Sequence, residues 1–219
     1  METAHPNTDP CFNRLALCLA GLLPAISTLN RASWDYYLTD YTDCEFVDVI
    51  LNIIDVGASV GHLGLPKIQS CKNLRSALDH KLVILNEIHS LLSEGCIHGP
   101  FESPLLANFR CSSLGMAMHK CDNKHCVFNH YSWPKGMSVN NKTPDTEGAI
   151  HYDSFQSVAA ALHESGKVSL LAKLDLKDAY RHIPIRSMDW NLLGFHWLGK
   201  FYYPVVLMFG EKSAPYMFN

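Results

Sequence analysis

The run KLDLKDAYRHIPI, Lys173 to Ile185, decides how this chain is read. Ahead of it, Val168–Leu176 is a compact apolar stretch that ends at an aspartate. Short apolar runs of this kind predict a buried strand. Such a strand delivers Asp175 to its C-terminal end, and Asp178 follows as the chain turns into a helical segment. A carboxylate in that position suits Mg²⁺, a hard cation that takes oxygen ligands and substrate phosphates. The competing reading is that Asp175 only caps the turn that follows it.

Working downstream, Asn191–Trp197 and Phe201–Leu207 are aromatic and β-branched, and Leu198-Gly199-Lys200 divides them. That pattern predicts a hairpin. Ser213 to Asn219 reads as the start of a helix. Upstream, residues 151–165 read as helix, and residues 96–150, rich in Cys, His, Asn, Gly and Pro, as short strands joined by loops. In residues 79–95, Leu82, Ile84, Leu85, Ile88, Leu91 and Leu92 recur at three- and four-residue steps. This is an amphipathic helix, with Gly95 as its stop. Residues 31–78 alternate helical patches (Phe46, Val47, Ile50, Leu51, Ile54) with the loop VGASVGHLGLP. The apolar stretch Leu15–Ile26 is too short to span a bilayer, which takes about 20 residues, and reads as a buried helix.

Hydrophobic residues are 47% of the 219 and charged residues 18%, so a folded core is expected and a disordered tail is excluded. The net charge of -3 is concentrated in residues 1–73, where eight acids face four bases. The remainder is close to neutral, which leaves room for a local basic groove. Eight cysteines follow no repeated spacing and the acidic start METAHPNTDP is not a signal peptide. Reduced thiols in an intracellular protein, cytoplasmic or nuclear and not membrane-bound, are expected.

Two further groups of residues compete for a function. HKCDNKHCVFNH holds His119, Cys121, His125, Cys126 and His130, the residue types that bind zinc, with Cys111 as a possible fourth ligand. The spacing fits neither a zinc knuckle nor a two-Cys, two-His finger, and loop histidines without a ligand role are the plainer reading. Trp190, Phe195, Trp197, Phe201, Tyr202 and Tyr203 could stack nucleobases, but their alternation favours a packed core.

Several of these stretches together resemble reverse transcriptases. KLDLKDAYRHIPI resembles their motif A, LMFGEKSAPYMFN their motif B, and FNHYSWPKGMSVNNKTP their fingers segment. NLRSALDHKLVILNEIHSLLSEGCIHGPF and WDYYLTDYTDCEFVDVILNIIDVGASVGHLG resemble the regions that precede the fingers in retroelements of the tyrosine-recombinase type, the DIRS and Ngaro groups. The resemblance covers the chain from about Trp34. It implies an α+β fold: a poorly defined segment over 1–33, a helical leader over 34–95, fingers over 96–150, and over 151–219 the first part of a ferredoxin-like palm.

The resemblance also assigns roles. Asp175 matches the catalytic, Mg²⁺-binding aspartate, and Leu176 would lend a backbone carbonyl to a second ion. Asp178 and Ala179 would line the triphosphate pocket, and Tyr180 matches the aromatic gate under the sugar. Phe209 and Gly210 match the motif B turn against the incoming nucleotide. Lys120 is aligned with a fingers lysine, with a solvated surface lysine as the equal alternative. Template-primer, deoxynucleoside triphosphates and Mg²⁺ are the implied partners.

Two departures stand against activity. No Asp-Asp pair of the family's motif C occurs, so Asp175 has no counterpart for a two-metal site. Cys126 stands where the fingers pattern has an arginine, and a thiol has neither its charge nor its fork. The expectation is a truncated polymerase without activity of its own, marginal in stability, or a nucleic-acid-binding remnant.

Overall fold

The computed structural model describes residues 25–64, 67–118, 125–147, 150 and 152–218. The apolar residues 15–24, and Lys120 and Cys121, lie outside the described residues. Helix α1 spans Arg31–Tyr37 and α2 spans Cys44–Val56. Each starts where a short polar side chain accepts an otherwise unpaired N–H: Asn30 from Ser33 at 2.9 Å, Asp43 from Phe46 at 3.0 Å. Helices α3 (Arg75–Asp79) and α4 (Lys81–Ser93) follow. Helix α4 ends as the sequence indicates. Gly95, at φ 71°, donates to the Leu92 carbonyl and Cys96 to that of Leu91. These paired bonds close the helix end, and glycine takes the left-handed conformation at little cost.

Among the described residues six strands form one mixed sheet: β1 (Gln69–Ser70), β2 (Ile97–Phe101), β3 (Arg110–Met118), β4 (His125–His130), β5 (Gly194–Trp197) and β6 (Lys200–Pro204). The order is β1-β3-β5-β6-β2, with β4 also paired to β3. Strand β3 runs parallel to β1 and β5 and antiparallel to β4, and residues 110–116 are buried on both faces. The expected hairpin is present as β5–β6, with Leu198 and Gly199 both at positive φ. Its first half is shorter than expected, because Ser187–Leu192 forms a 3-10 turn instead of strand.

Ile84, Ile88 and Leu91 of α4 join Leu114, Phe195 and Trp197 in the core. Trp190, Phe195, Trp197, Tyr202 and Tyr203 are buried, so this cluster packs the interior and offers no open stacking platform. The segment after α2, read from sequence as a loop, is threaded through the core. Ala58 and Val60 are buried, Ala58 bridges Ile185, and Val60 N–H donates to the buried Asp189 carboxylate at 3.0 Å. Helix α5 (Phe155–Ser165) confirms the helix expected over 151–165, and α6 (Ala214–Phe218) the one after Ser213.

One expectation fails. Val168–Leu176 is not a strand: residues 170–176 have no regular structure. Val168, Leu170 and Leu174 are 93%, 99% and 92% exposed. A strand exists only where its N–H and C=O groups meet a neighbouring ladder. Among the described residues no strand lies beside this segment.

Candidate functional site

Two of the segments marked in the sequence, Lys173 to Ile185 and residues 207–218, meet around one aromatic contact. After the irregular run, Asp178 takes a left-handed conformation (φ 54°) and starts the 3-10 turn Ala179–His182. That turn aims Tyr180 at Phe209, with ring centroids 5.1 Å apart at 62°. Phe218 of α6 closes on the same ring at 5.8 Å and 82°. Edge-to-face pairs of this kind add about 0.5–1.5 kcal/mol beyond burial. Phe209 and Phe218 remain partly exposed, so the cluster sits at the surface with one side open.

Arg181 ties this turn to α4. Its guanidinium bonds Glu87 at 2.5 Å and lies 3.5 Å from both Glu94 and Asp178. Burial would lower the Arg181 pKa, but the three carboxylates outweigh it and the group is held above its ordinary value. Burial, with Glu94 next to it, pushes the neighbouring Cys96 thiol up to about 11, so it stays a thiol. A cavity of about 20 Å³ lies beside Arg181, lined also by Glu87, Phe128, Asn129 and Phe209.

The turn that carries Phe209 and Gly210 is closed by a side chain. Glu211 accepts the Met208 N–H at 2.8 Å through Oε1, and its own N–H donates to the Met208 carbonyl. Gly210 is at φ 100°, and a Cβ there would stand 2.7 Å from the Asn129 carbonyl oxygen. Only glycine fits. Asn140 anchors the turn from outside: Nδ2 donates to the Gly210 carbonyl at 2.8 Å, and Oδ1 accepts from Lys212 N–H at 3.0 Å. Lys212 Nζ in turn bonds the Thr143 carbonyl and Asp145.

Glu211 is buried and its Oε2 has no hydrogen-bond partner among the described residues. Burial pushes its carboxyl up to about 8, with the Asp189 charge adding to the rise and the Met208 N–H opposing it. Tyr131 lies in the same interior. Its hydroxyl accepts from Asn129 and donates to the Leu193 carbonyl, and burial holds its pKa well above the ordinary value.

The residues marked in the sequence thus fall into two sets. Tyr180, Phe209 and Gly210 are brought together, with Asp178 and Ala179 at the start of the turn behind them. Asp175 and Leu176 are exposed on the irregular run, and Asp175 has no ion-pair partner among the described residues. A single solvated carboxylate does not fit a two-ion Mg²⁺ site. Among the described residues no group of three or more His, Cys, Asp or Glu side chains could hold a metal ion. This bears equally on zinc at the described His125, Cys126 and His130. Arg181, Glu211, Tyr131 and Asn140 were not singled out in the sequence. A lone acid inside the apolar run VVLMFGEKSAP was the one available signal, since such a group must be buried or solvated at a break.

No family model matches the chain, and no curated protein does. Solved structures do. The native protease-reverse transcriptase of Prototype Foamy Virus is 17% identical, with a TM-score of 0.50 over 100% of this chain and 27% of that one. The foamy viral protease-reverse transcriptase bound to double-stranded DNA is 16% identical, with a TM-score of 0.48 over 90% of this chain and 35% of that one. The same protein with an RNA/DNA hybrid gives 15% and 0.47 over 90% of this chain and 27% of that one. At these identities the likeness is one of fold: the chain has a reverse transcriptase-like α+β architecture and spans about a third or less of those chains.

Proposed function

We propose that this chain is the fingers and the first part of the palm of a retroelement reverse transcriptase of the tyrosine-recombinase type. In this reading residues 34–95 are the leader, 96–150 the fingers and 151–219 the partial palm. The carrying observation is the contact of Tyr180 with Phe209, which joins two segments chosen from sequence for one nucleotide site. An aromatic ring in the position of Tyr180 is stiff and suits a gate against a 2′-hydroxyl. The glycine next to Phe209 lets a backbone or ligand approach closely.

The irregular run 168–176 fits the same proposal. Each aliphatic side chain left in water forgoes about 1.5–3 kcal/mol of burial. A run with several of them is a surface that the described residues leave without a packing partner. Asp175 on that run stands where the resemblance puts a metal-binding carboxylate, with Leu176, Asp178 and Ala179 following toward the triphosphate, but alone it does not hold a two-ion site. The Asp-Asp pair that the resemblance sets beside Asp175 is not in this sequence. The 219-residue chain is therefore proposed to hold template-primer, inside the cell, without extending it.

Two measurements test this. Primer extension on an RNA template, with deoxynucleoside triphosphates and Mg²⁺, is expected to stay at background, and robust extension contradicts the proposed inactivity. Fluorescence anisotropy with a labelled RNA/DNA primer-template is expected to show binding that weakens steadily as salt rises. No binding even at low salt removes the nucleic-acid reading.

A further inference from the structure

Helix α2 carries two parallel stripes that the fold leaves open. Phe46, Val49 and Ile53 recur at three- and four-residue steps along one side. Phe46 and Val49 are 46% and 55% exposed and Ile53 is half-buried against the core, while Leu51 and Ile54 of the same helix are buried. Val49 and Ile53 also line an open groove of about 380 Å³, together with Met188, Met217 and Arg186. Met188 is 63% exposed. Methionines are unbranched and polarizable, and they line surfaces that accommodate varied apolar partners.

The second stripe is acidic. Glu45 and Asp48 flank Phe46 and Val49 one position earlier in the sequence, and both are exposed without an ion-pair partner among the described residues. Asp40 and Asp43 continue the negative surface toward α1, where Tyr36, Tyr37 and Tyr41 are also exposed. Across residues 31–56 six acids face one base, Arg31, which is engaged by Asp35 and Asp55. An apolar strip flanked on one side by acids complements an amphipathic segment with a basic flank.

We propose that the α2 face and the adjoining methionine groove dock a cationic amphipathic segment of a partner polypeptide. The partner's apolar residues lie on Phe46, Val49 and Ile53 and reach the groove, and its lysines or arginines face Glu45 and Asp48. Charge decides among occupants. Nucleic acid is repelled by this surface. Residues 1–24 carry Arg14 alone against Glu2 and Asp9, so the chain's own N-terminal segment lacks the complementary charge.

The test is anisotropy titration of the full chain with a fluorescein-labelled Leu/Lys amphipathic peptide of about 18 residues, five helical turns. A Leu/Glu analogue is the negative control. Binding is expected to fall with salt. The pair Glu45→Lys/Asp48→Lys and, separately, Val49→Asp should each weaken it roughly tenfold or more, the scale set by reversing two exposed contacts or burying a charge. The matched pair Asp153→Lys/Glu164→Lys, on and next to α5, should change it less than about threefold. The proposal is overturned if the peptide does not bind, if its acidic analogue binds equally, or if the two double variants weaken binding alike. Two other outcomes overturn it in favour of a named occupant. A dimer of the free chain that Val49→Asp dissolves points to a second copy. Slow maleimide labelling of Val49→Cys, relative to exposed Cys126, points to the N-terminal segment already covering the face.

Discussion

Glu211→Gln is expected to stabilise this protein, and by an amount that depends on pH. Glu211 is 5% exposed, its Oε1 accepts one backbone N–H, and its Oε2 has no partner among the described residues. Its folded pKa is pushed up to about 8, from 4.5 for a free glutamate side chain. The folded state therefore keeps a proton that the unfolded state releases. Below about pH 4.5 both states are neutral at this site and burial carries no ionic cost. From there to about pH 8 stability falls by about 1.4 kcal/mol per pH unit, and above that the loss is complete. At pH 7 the loss is about 3 kcal/mol. Glutamine keeps the acceptor for Met208 N–H and never ionises, so it reproduces the protonated acid. The variant should match the parent near pH 4.5 and melt roughly 6–12 °C higher at pH 7, taking about 2–4 °C per kcal/mol for a chain of this size. Thermal unfolding followed by circular dichroism between pH 4.5 and 8 measures both curves. Parallel curves across that range would refute a proton held in the 208–211 turn.

The other expectations follow from the same contacts. Gly210→Ala should destabilise the fold by at least about 2 kcal/mol in urea titration, because its Cβ meets the Asn129 carbonyl at 2.7 Å from a positive-φ position. Arg181→Met should cost roughly 1–2 kcal/mol, since it leaves Glu87, Glu94 and Asp178 without their shared cation while water, which reaches about a third of each carboxylate, screens their repulsion; an unchanged midpoint would discount that cluster. Leu170→Asp and Leu174→Asp should each stay within about 0.5 kcal/mol of the parent, and a loss above about 2 would mean that the run 168–176 is packed after all.

The local elements were legible because their signals are local. Ile84, Ile88 and Leu91 mark a helix by spacing alone, and Gly95 marks its end, whatever the helix packs against. The Leu198-Gly199 turn marks its hairpin in the same way. The 57–61 segment was not legible as core. Nothing in VGASVGHLGLP shows that Ala58 will pair with Ile185 or that Asp189 will take the Val60 N–H, since those partners are remote in sequence. The site divides along the same line. Tyr180 and Phe209 were found as members of motifs, but Arg181 and Glu211 matter only through what surrounds them: α4 for one and the buried Tyr131 region for the other.

The misread strand shows what a composition-based reading lacks. Val168–Leu176 is apolar enough to form a buried strand, and that is what its residues indicate. Apolar content states a requirement for a partner and carries no information on whether the partner is there. Where β3 finds β1, β4 and β5 on its sides, its residues 110–116 are buried; where 168–176 finds no ladder, the same kind of side chain stands in water. Asp175 rides on that run, so its position is only as fixed as the strand that should carry it. The aromatic contact of Tyr180 with Phe209, by contrast, is held from two sides, by Arg181 anchored to Glu87 of α4 and by the Glu211-closed turn. The Tyr180–Phe209 part of the proposed site is thus packed within the described residues, and Asp175 is not.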